Sequence, residues 1–153
     1  MWQRIQSVYL GVAVLAGLLM FAFPVATLDL ESSTVVYTVR SITDSATEAS
    51  SIPWPVLALL IVVTGLNVGT TFMFKNRVTQ LRLIKLNLVL ATGLLAATVL
   101  YIDVAMGSYV EEGHSPSYGI ALALPLLIMI ATFLANRSIK KDEALVRSMD
   151  RLR

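Results

Sequence analysis

Four long stretches of the chain carry no formal charge, and they constrain its fold more than any other feature. Between Arg4 and Asp29 lie 24 uncharged residues, between Glu48 and Lys75 26, between Lys85 and Asp103 17, and between Glu112 and Arg137 24. Together they hold 91 of the 153 residues. A membrane-spanning helix needs about 20 mostly apolar residues to cross a hydrocarbon core of roughly 30 Å. The runs at residues 5–26, 54–74 and 118–135 meet that directly. The run at 83–102 meets it if Lys85 keeps its stem in hydrocarbon and carries its ammonium out to the headgroups. Charged residues make up 14% of the chain, against roughly 25% in an ordinary soluble domain. A soluble fold, a disordered chain, a disulfide scaffold and a nucleic-acid-binding module are all poor explanations of that pattern. The expected fold is an all-α, four-transmembrane-helix bundle forming a single membrane domain over residues 1–153, and no nucleic-acid partner is expected.

The absence of cysteine excludes disulfides, thiolate metal sites and cysteine nucleophiles. The first run is too long for the usual 7–15-residue core of a secretory signal, and Phe23-Pro24-Val25 is a poor cleavage context, so it reads as a retained helix. Segment 27–52 contains Thr34-Val35-Val36-Tyr37-Thr38-Val39, β-branched and aromatic at the density of a strand. Leu28 and Leu30 alternate with Asp29 and Glu31 before it, which predicts a small β-hairpin turning at Ser32-Ser33 between the first two helices; residues 46–51 read as linker. Residues 103–117 read as a loop. Ser115-Pro116 has the form of a helix N-cap followed by proline at the first helical position, which predicts the start of the fourth helix.

Basic residues near the span ends set the orientation. The first polar segment carries Arg40 against Asp29, Glu31, Asp44 and Glu48, whereas the second connection carries Lys75, Arg77, Arg82 and Lys85 with no acid. The third carries Asp103, Glu111 and Glu112 with no Lys or Arg, and the tail at 136–153 has six basic residues against three acidic ones. The alternation predicts cytosolic termini and a cytosolic middle connection. A basic cytosolic face follows, built from Lys75, Arg77, Arg82, Lys85, Arg137, Lys140, Lys141, Arg147 and Arg151, and anionic lipid is its expected partner.

Catalytic, metal and cofactor signals are weak. His114 stands beside Glu111 and Glu112, but Gly113 and Pro116 describe a turn, and no second shell is evident. No G-x-S-x-G, H-E-x-x-H or phosphate loop occurs. The expectation is therefore no enzyme, no catalytic residue, no metal and no cofactor. The spans carry no Asp, Glu, Lys, Arg or His at depth, which argues against proton-coupled transport.

What the spans do carry is small and weakly polar. Gly65 and Gly69 form a GxxxG pair on the second helix, and Gly93 and Ala97 form a small-xxx-small pair on the third. Asn67 and Thr92 both fall about 11 Å above the basic boundary at the helical rise. The expectation is an Asn67–Thr92 hydrogen bond beside a close glycine contact, internal packing being preferred over a substrate site or a dimer face. Asn87, two residues above Lys85, is expected at the headgroups. Trp2, Tyr9, Trp54, Tyr101 and Tyr118 suit interfacial belts, packing being an equal explanation for Tyr9, which is a turn or two deep.

From Leu126 to Arg153 there is no Gly or Pro. The fourth helix is therefore expected to continue past Asn136 into the cytosol, with a bend near Pro125. At about 100° per residue, Leu145, Met149 and Leu152 share one face, with Val146 at its margin. They form a candidate stripe for docking a partner or the cytosolic hairpin around Arg77 and Arg82, the alternative being a solvated helix whose basic residues touch anionic lipid. Lys140, Arg147 and Arg151 line another face, and Asp142 interrupts the apolar one.

The segments Met1-Trp2-Gln3-Arg4-Ile5-Gln6-Ser7-Val8-Tyr9-Leu10, Phe74-Lys75-Asn76-Arg77, Gln80-Leu81-Arg82, and the tail from Leu134-Ala135-Asn136-Arg137-Ser138-Ile139-Lys140-Lys141-Asp142-Glu143 through Asp150-Arg151-Leu152-Arg153 resemble an uncharacterised four-span inner-membrane family of Bacteroidota, one of the domain-of-unknown-function families. The resemblance implies a Gram-negative inner membrane with periplasm outside, and brings no activity, ligand or catalytic residue. The expected function is a non-catalytic accessory or assembly subunit of a larger inner-membrane complex, with other inner-membrane proteins and the lipid bilayer as partners. A component of a small oligomeric transporter or channel is the second reading, and a lipid- or quinone-handling enzyme the third.

Overall fold

Each apolar run becomes a helix because its buried side chains recur every three or four residues, the spacing of one helical face. On the first helix that stripe is Gln6, Leu10, Ala13, Ala16 and Met20; on the third it runs Gln80, Ile84, Asn87, Ala91, Leu94 and Thr98. The computed structural model describes residues 3–30, 33–46, 50–73, 77–111 and 115–150. Its helices are α1 (Gln3–Ala22), α2 (Trp54–Phe72), α3 (Arg77–Glu111) and α4 (Leu124–Asp150). They form a ring in which α1 packs against α2 and α4, and α3 against α2 and α4. Only α2 and α3 are joined by a short connection, which makes them antiparallel neighbours.

All four helices are long and apolar enough to cross a membrane. The side chains turned away from the ring include Val8, Leu15, Ile61, Val89, Leu100 and Phe133. On a soluble protein such continuous apolar surface would drive aggregation; in a bilayer it is the lipid-facing surface. The chain is a multi-pass membrane protein.

The expected hairpin forms, but it is part of a larger sheet. Strands β1 (Ala26–Asp29) and β2 (Thr34–Tyr37) pair antiparallel with Asp29 opposite Thr34, closed by a hydrogen bond from Leu30 N to Ser33 O of 2.8 Å. Strands β3 (Ile42–Asp44), β4 (Ser50–Ser51) and β5 (Ser117–Tyr118) extend it to five strands in the order β4-β3-β2-β1-β5. The Thr38 hydroxyl accepts from Ser41 N at 3.0 Å and donates to Ser41 O at 2.8 Å, fixing the β2–β3 turn. Burial alternates along β1 and β2, as a strand with one covered face requires. Leu28, Val35 and Tyr37 enter one continuous core with Met20, Val56 and Met106. The sheet therefore caps one end of the helical ring.

Four further expectations change. The third helix is not confined to 83–102: α3 has 35 residues, about 52 Å at the helical rise. It runs through Gly107 because Ile102 and Met106 are buried in the core shared with the sheet, and one glycine weakens a helix by only about 1 kcal/mol. Residues 103–111 are thus helical, and Ser50–Ser51 is strand instead of linker. The fourth helix does not start at Ser115-Pro116. Those residues lead into β5, a 3-10 turn covers Ile120–Leu122, and α4 begins at Leu124. Pro125 then lies in the first turn, where its missing N–H has no intrahelical partner to lose, so it opens the helix and does not bend it.

Candidate functional site

The inner faces of the helices turn polar toward the end opposite the sheet. On α2 the buried stripe is Val56, Leu60 and Val63, then Thr64, Asn67 and Thr70. Gln6 on α1, Gln80 and Asn87 on α3, and Thr132 and Asn136 on α4 complete a set of buried polar side chains, with Thr98 further along α3. Among the described residues the buried polar side chains are all amides and hydroxyls, which give and accept hydrogen bonds without ionising near neutral pH.

Some of these groups hold the helices together. Gln80 Nε2 donates to Thr70 O at 3.0 Å, a carbonyl in the last turn of α2 that also accepts from Met73 N at 3.3 Å. The hydroxyls of Thr70 and Thr71 both donate to Asn67 O, at 3.0 and 2.8 Å. Across the ring, Thr132 Oγ1 donates to Asn67 Oδ1 at 3.4 Å.

Others are buried without a hydrogen-bond partner among the described residues: Thr64 Oγ1, Asn67 Nδ2, both side-chain polar atoms of Asn87, and Asn136 Oδ1. The Gln80–Thr70 bond sets the register between α2 and α3. Asn87 lies seven residues along α3 from it and Thr64 six residues along α2, or about 10 and 9 Å at the helical rise. They occupy one layer of the bundle, near the middle of the α2 span. A buried polar group without a partner costs about 1–3 kcal/mol, so this layer is poorly explained by packing alone.

The structure redraws the expected packing site. Asn67 is fully buried, but Thr92 is exposed; its hydroxyl donates to Leu88 O at 3.0 Å and reaches Met129 Sδ on α4 at 3.7 Å. The Asn67–Thr92 bond does not form, and Thr132 takes that place. Asn87 is completely buried between the helices. Gly65 and Gly69 are exposed and Gly93 half-buried, and a Cβ added to any of them meets nothing within 4 Å. Ala97 packs at the edge of the core. The close contact is instead at Gly17 on α1, where an added Cβ would collide with Thr64 Oγ1 and lie 3.2 Å from Thr64 Cγ2. Ala13 and Gly17 are themselves a small-xxx-small pair, the signal that could have found this contact.

At the same end of the ring, Arg82, Lys85, Arg137, Lys140 and Lys141 are exposed. Arg77 and Arg147 lie on α3 and α4 and Leu145 and Met149 on α4, but their side chains fall outside the described residues, as do Lys75, Arg151, Leu152, Trp2, Glu112 and His114 altogether. Trp54 and Tyr118 are exposed, Tyr9 and Tyr101 half-buried. In the sheet, burial pushes the Tyr37 phenol well above its ordinary range, with a smaller contribution from Tyr101.

Residues 2–152 match the family described as Domain of unknown function (DUF4293), and the chain belongs to that family. No curated protein matches it.

Proposed function

We propose that this member of the family is a non-catalytic accessory or assembly subunit of a larger membrane complex. It is seated in a bacterial inner membrane, with the sheet in the periplasm and both ends of the chain in the cytosol. The orientation follows from the alternation of basic and acidic connections.

The observation that carries this reading is the length of α4. The helix is unbroken to Asp150, while its last described buried residue is Ile139. Eleven further residues carry the helix about 16 Å on from Ile139 at the helical rise. The spanning part nucleates this extension, so it stands as a preformed helix offered to a partner. The exposed Gly65–Gly69 face of α2 adds a surface that another membrane helix could approach closely. Native purification with mass spectrometry of co-purifying proteins tests the proposal. A stoichiometric partner, lost on Leu145→Ser plus Met149→Ser in a stably inserted protein, is the expected result. Unchanged co-purification after that double change overturns docking through the extension.

The buried polar atoms left without a partner among the described residues, Thr64 Oγ1, Asn67 Nδ2 and the Asn87 amide, favour a second reading, a component of a small oligomeric transporter or channel. In that case the same purification yields a homo-oligomer without other proteins, and Asn67→Leu abolishes activity in a folded protein.

A further inference from the structure

An open-sided groove of about 260 Å³ runs between the first turns of α1 and the middle of α4, lined by Ile5, Tyr9, Leu134, Arg137, Ser138 and Lys141. The four residues from α4 are spaced i, i+3, i+4 and i+7, so they form one stripe about 10 Å long. Beneath it the helices are held by Leu10 of α1 packed with Ala135 and Ile139 of α4.

Chemistry changes sign of preference along this groove. Its α1 wall, Ile5 and Tyr9, is apolar, as is Leu134 at the inner end of the α4 wall. The other end carries the exposed Arg137 and Lys141 with Ser138 between them, at the point where α4 gains its first charges. Lys140 beside it is also exposed, and Asp142 is the acidic neighbour on the same helix. The volume lies below the roughly 300–1,000 Å³ of sites that enclose a whole drug-sized ligand. A ligand that puts only its head in the groove and leaves its tails in the bilayer fits both the size and the open side.

We propose that this groove is a binding site for one anionic glycerophospholipid. The Arg137 guanidinium and the Lys141 ammonium hold the phosphodiester, charge-assisted contacts that are short and strong near a low-dielectric boundary. The Ser138 hydroxyl donates to the head, and the acyl chains lie along Ile5, Tyr9 and Leu134. Because its two walls come from the first and last helices, the bound lipid bridges α1 and α4. It is a single site, distinct from the diffuse attraction of a basic surface for anionic lipid.

The full chain, purified and titrated with phosphatidylglycerol or phosphatidylcholine of identical acyl chains, is read by native mass spectrometry. One phosphatidylglycerol should be retained in preference to phosphatidylcholine. Arg137→Gln plus Lys141→Gln should weaken it about tenfold or more, whereas Arg82→Gln plus Lys85→Gln, two exposed cations elsewhere on the same end, should change it less than twofold. Equal losses in the two double variants, or equal retention of the two lipids, overturns the site. Thermal unfolding in phosphatidylcholine nanodiscs establishes that the variants fold. Should the charge variant fail there, Leu134→Trp fills the groove with both cations in place and should also expel the lipid. Retention of phosphatidylglycerol by that variant equally overturns the proposal.

Discussion

Gly17 of α1 lies so close to Thr64 of α2 that a single methyl group at position 17 would collide with the Thr64 hydroxyl. Threonine in a helix has few rotamers to retreat into, so Gly17→Ala should force the two helices apart and destabilise the protein by about 1–3 kcal/mol. Gly65→Ala and Gly69→Ala meet open space and should be neutral or stabilising, since alanine favours a helix over glycine by about 1 kcal/mol. Unfolding in micelles compares them. Thr64→Ala in the Gly17→Ala background should recover part of the loss; simple additivity would show that the contact is not the cause.

Asn87 has a fully buried amide with neither polar atom partnered among the described residues. Asn87→Leu, similar in size, should therefore raise stability by about 1 kcal/mol or more, because it removes an unsatisfied group. Thr132→Val should act in the opposite direction, by about 1 kcal/mol, because Asn67 Oδ1 loses its donor across the ring. A stabilised Asn87→Leu protein with a growth defect would mark the polar layer as functional.

Tyr37 OH is buried without a partner among the described residues. Its phenol ionises at a higher pH in the folded protein than in the unfolded chain, where its ordinary value is 10.0. The sign follows: stability is fully present below pH about 10 and falls above it, because the unfolded chain then loses a proton that the folded protein keeps. Tyr37→Phe should be neutral or stabilising near neutral pH and should reduce that alkaline loss, checked by denaturation between pH 8 and pH 11 as an experimental range of about three units.

Gln80 ties the start of α3 to the last turn of α2 through Thr70 O. Gln80→Leu should lower stability by about 1 kcal/mol and speed hydrogen exchange at the end of α2. Unchanged exchange there would mean that the hairpin is held by other contacts.

Reporter fusions test the proposed orientation. Truncated fusions ending at Thr47 or Ser108 should report the periplasm, and fusions at Asn76 or after Arg153 the cytosol. A cytosolic signal at Ser108 would mean that α3 does not cross.

The number of spans, the neutral character of their interiors and the β1–β2 hairpin were legible in the sequence, because each rests on local composition and period. Charge-free runs of sufficient length have few alternatives to crossing a bilayer, and alternation over Ala26–Tyr37 specifies a half-covered strand. The direction in which a residue faces was not legible. It depends on rotation about the helix axis relative to neighbours, which only packing sets, and so Asn87 turned inward, Thr92 outward, and Gly65 and Gly69 away from their neighbours among the described residues. Long-range pairing lay equally out of reach. Ser117–Tyr118 is a strand only because Ala26–Thr27, some 90 residues earlier, offers it an edge, and Gly119 is required because any side chain there would strike Pro24 O. The length of α3 was decided the same way: Met106 carries the helix past Gly107 because the sheet is there to bury it.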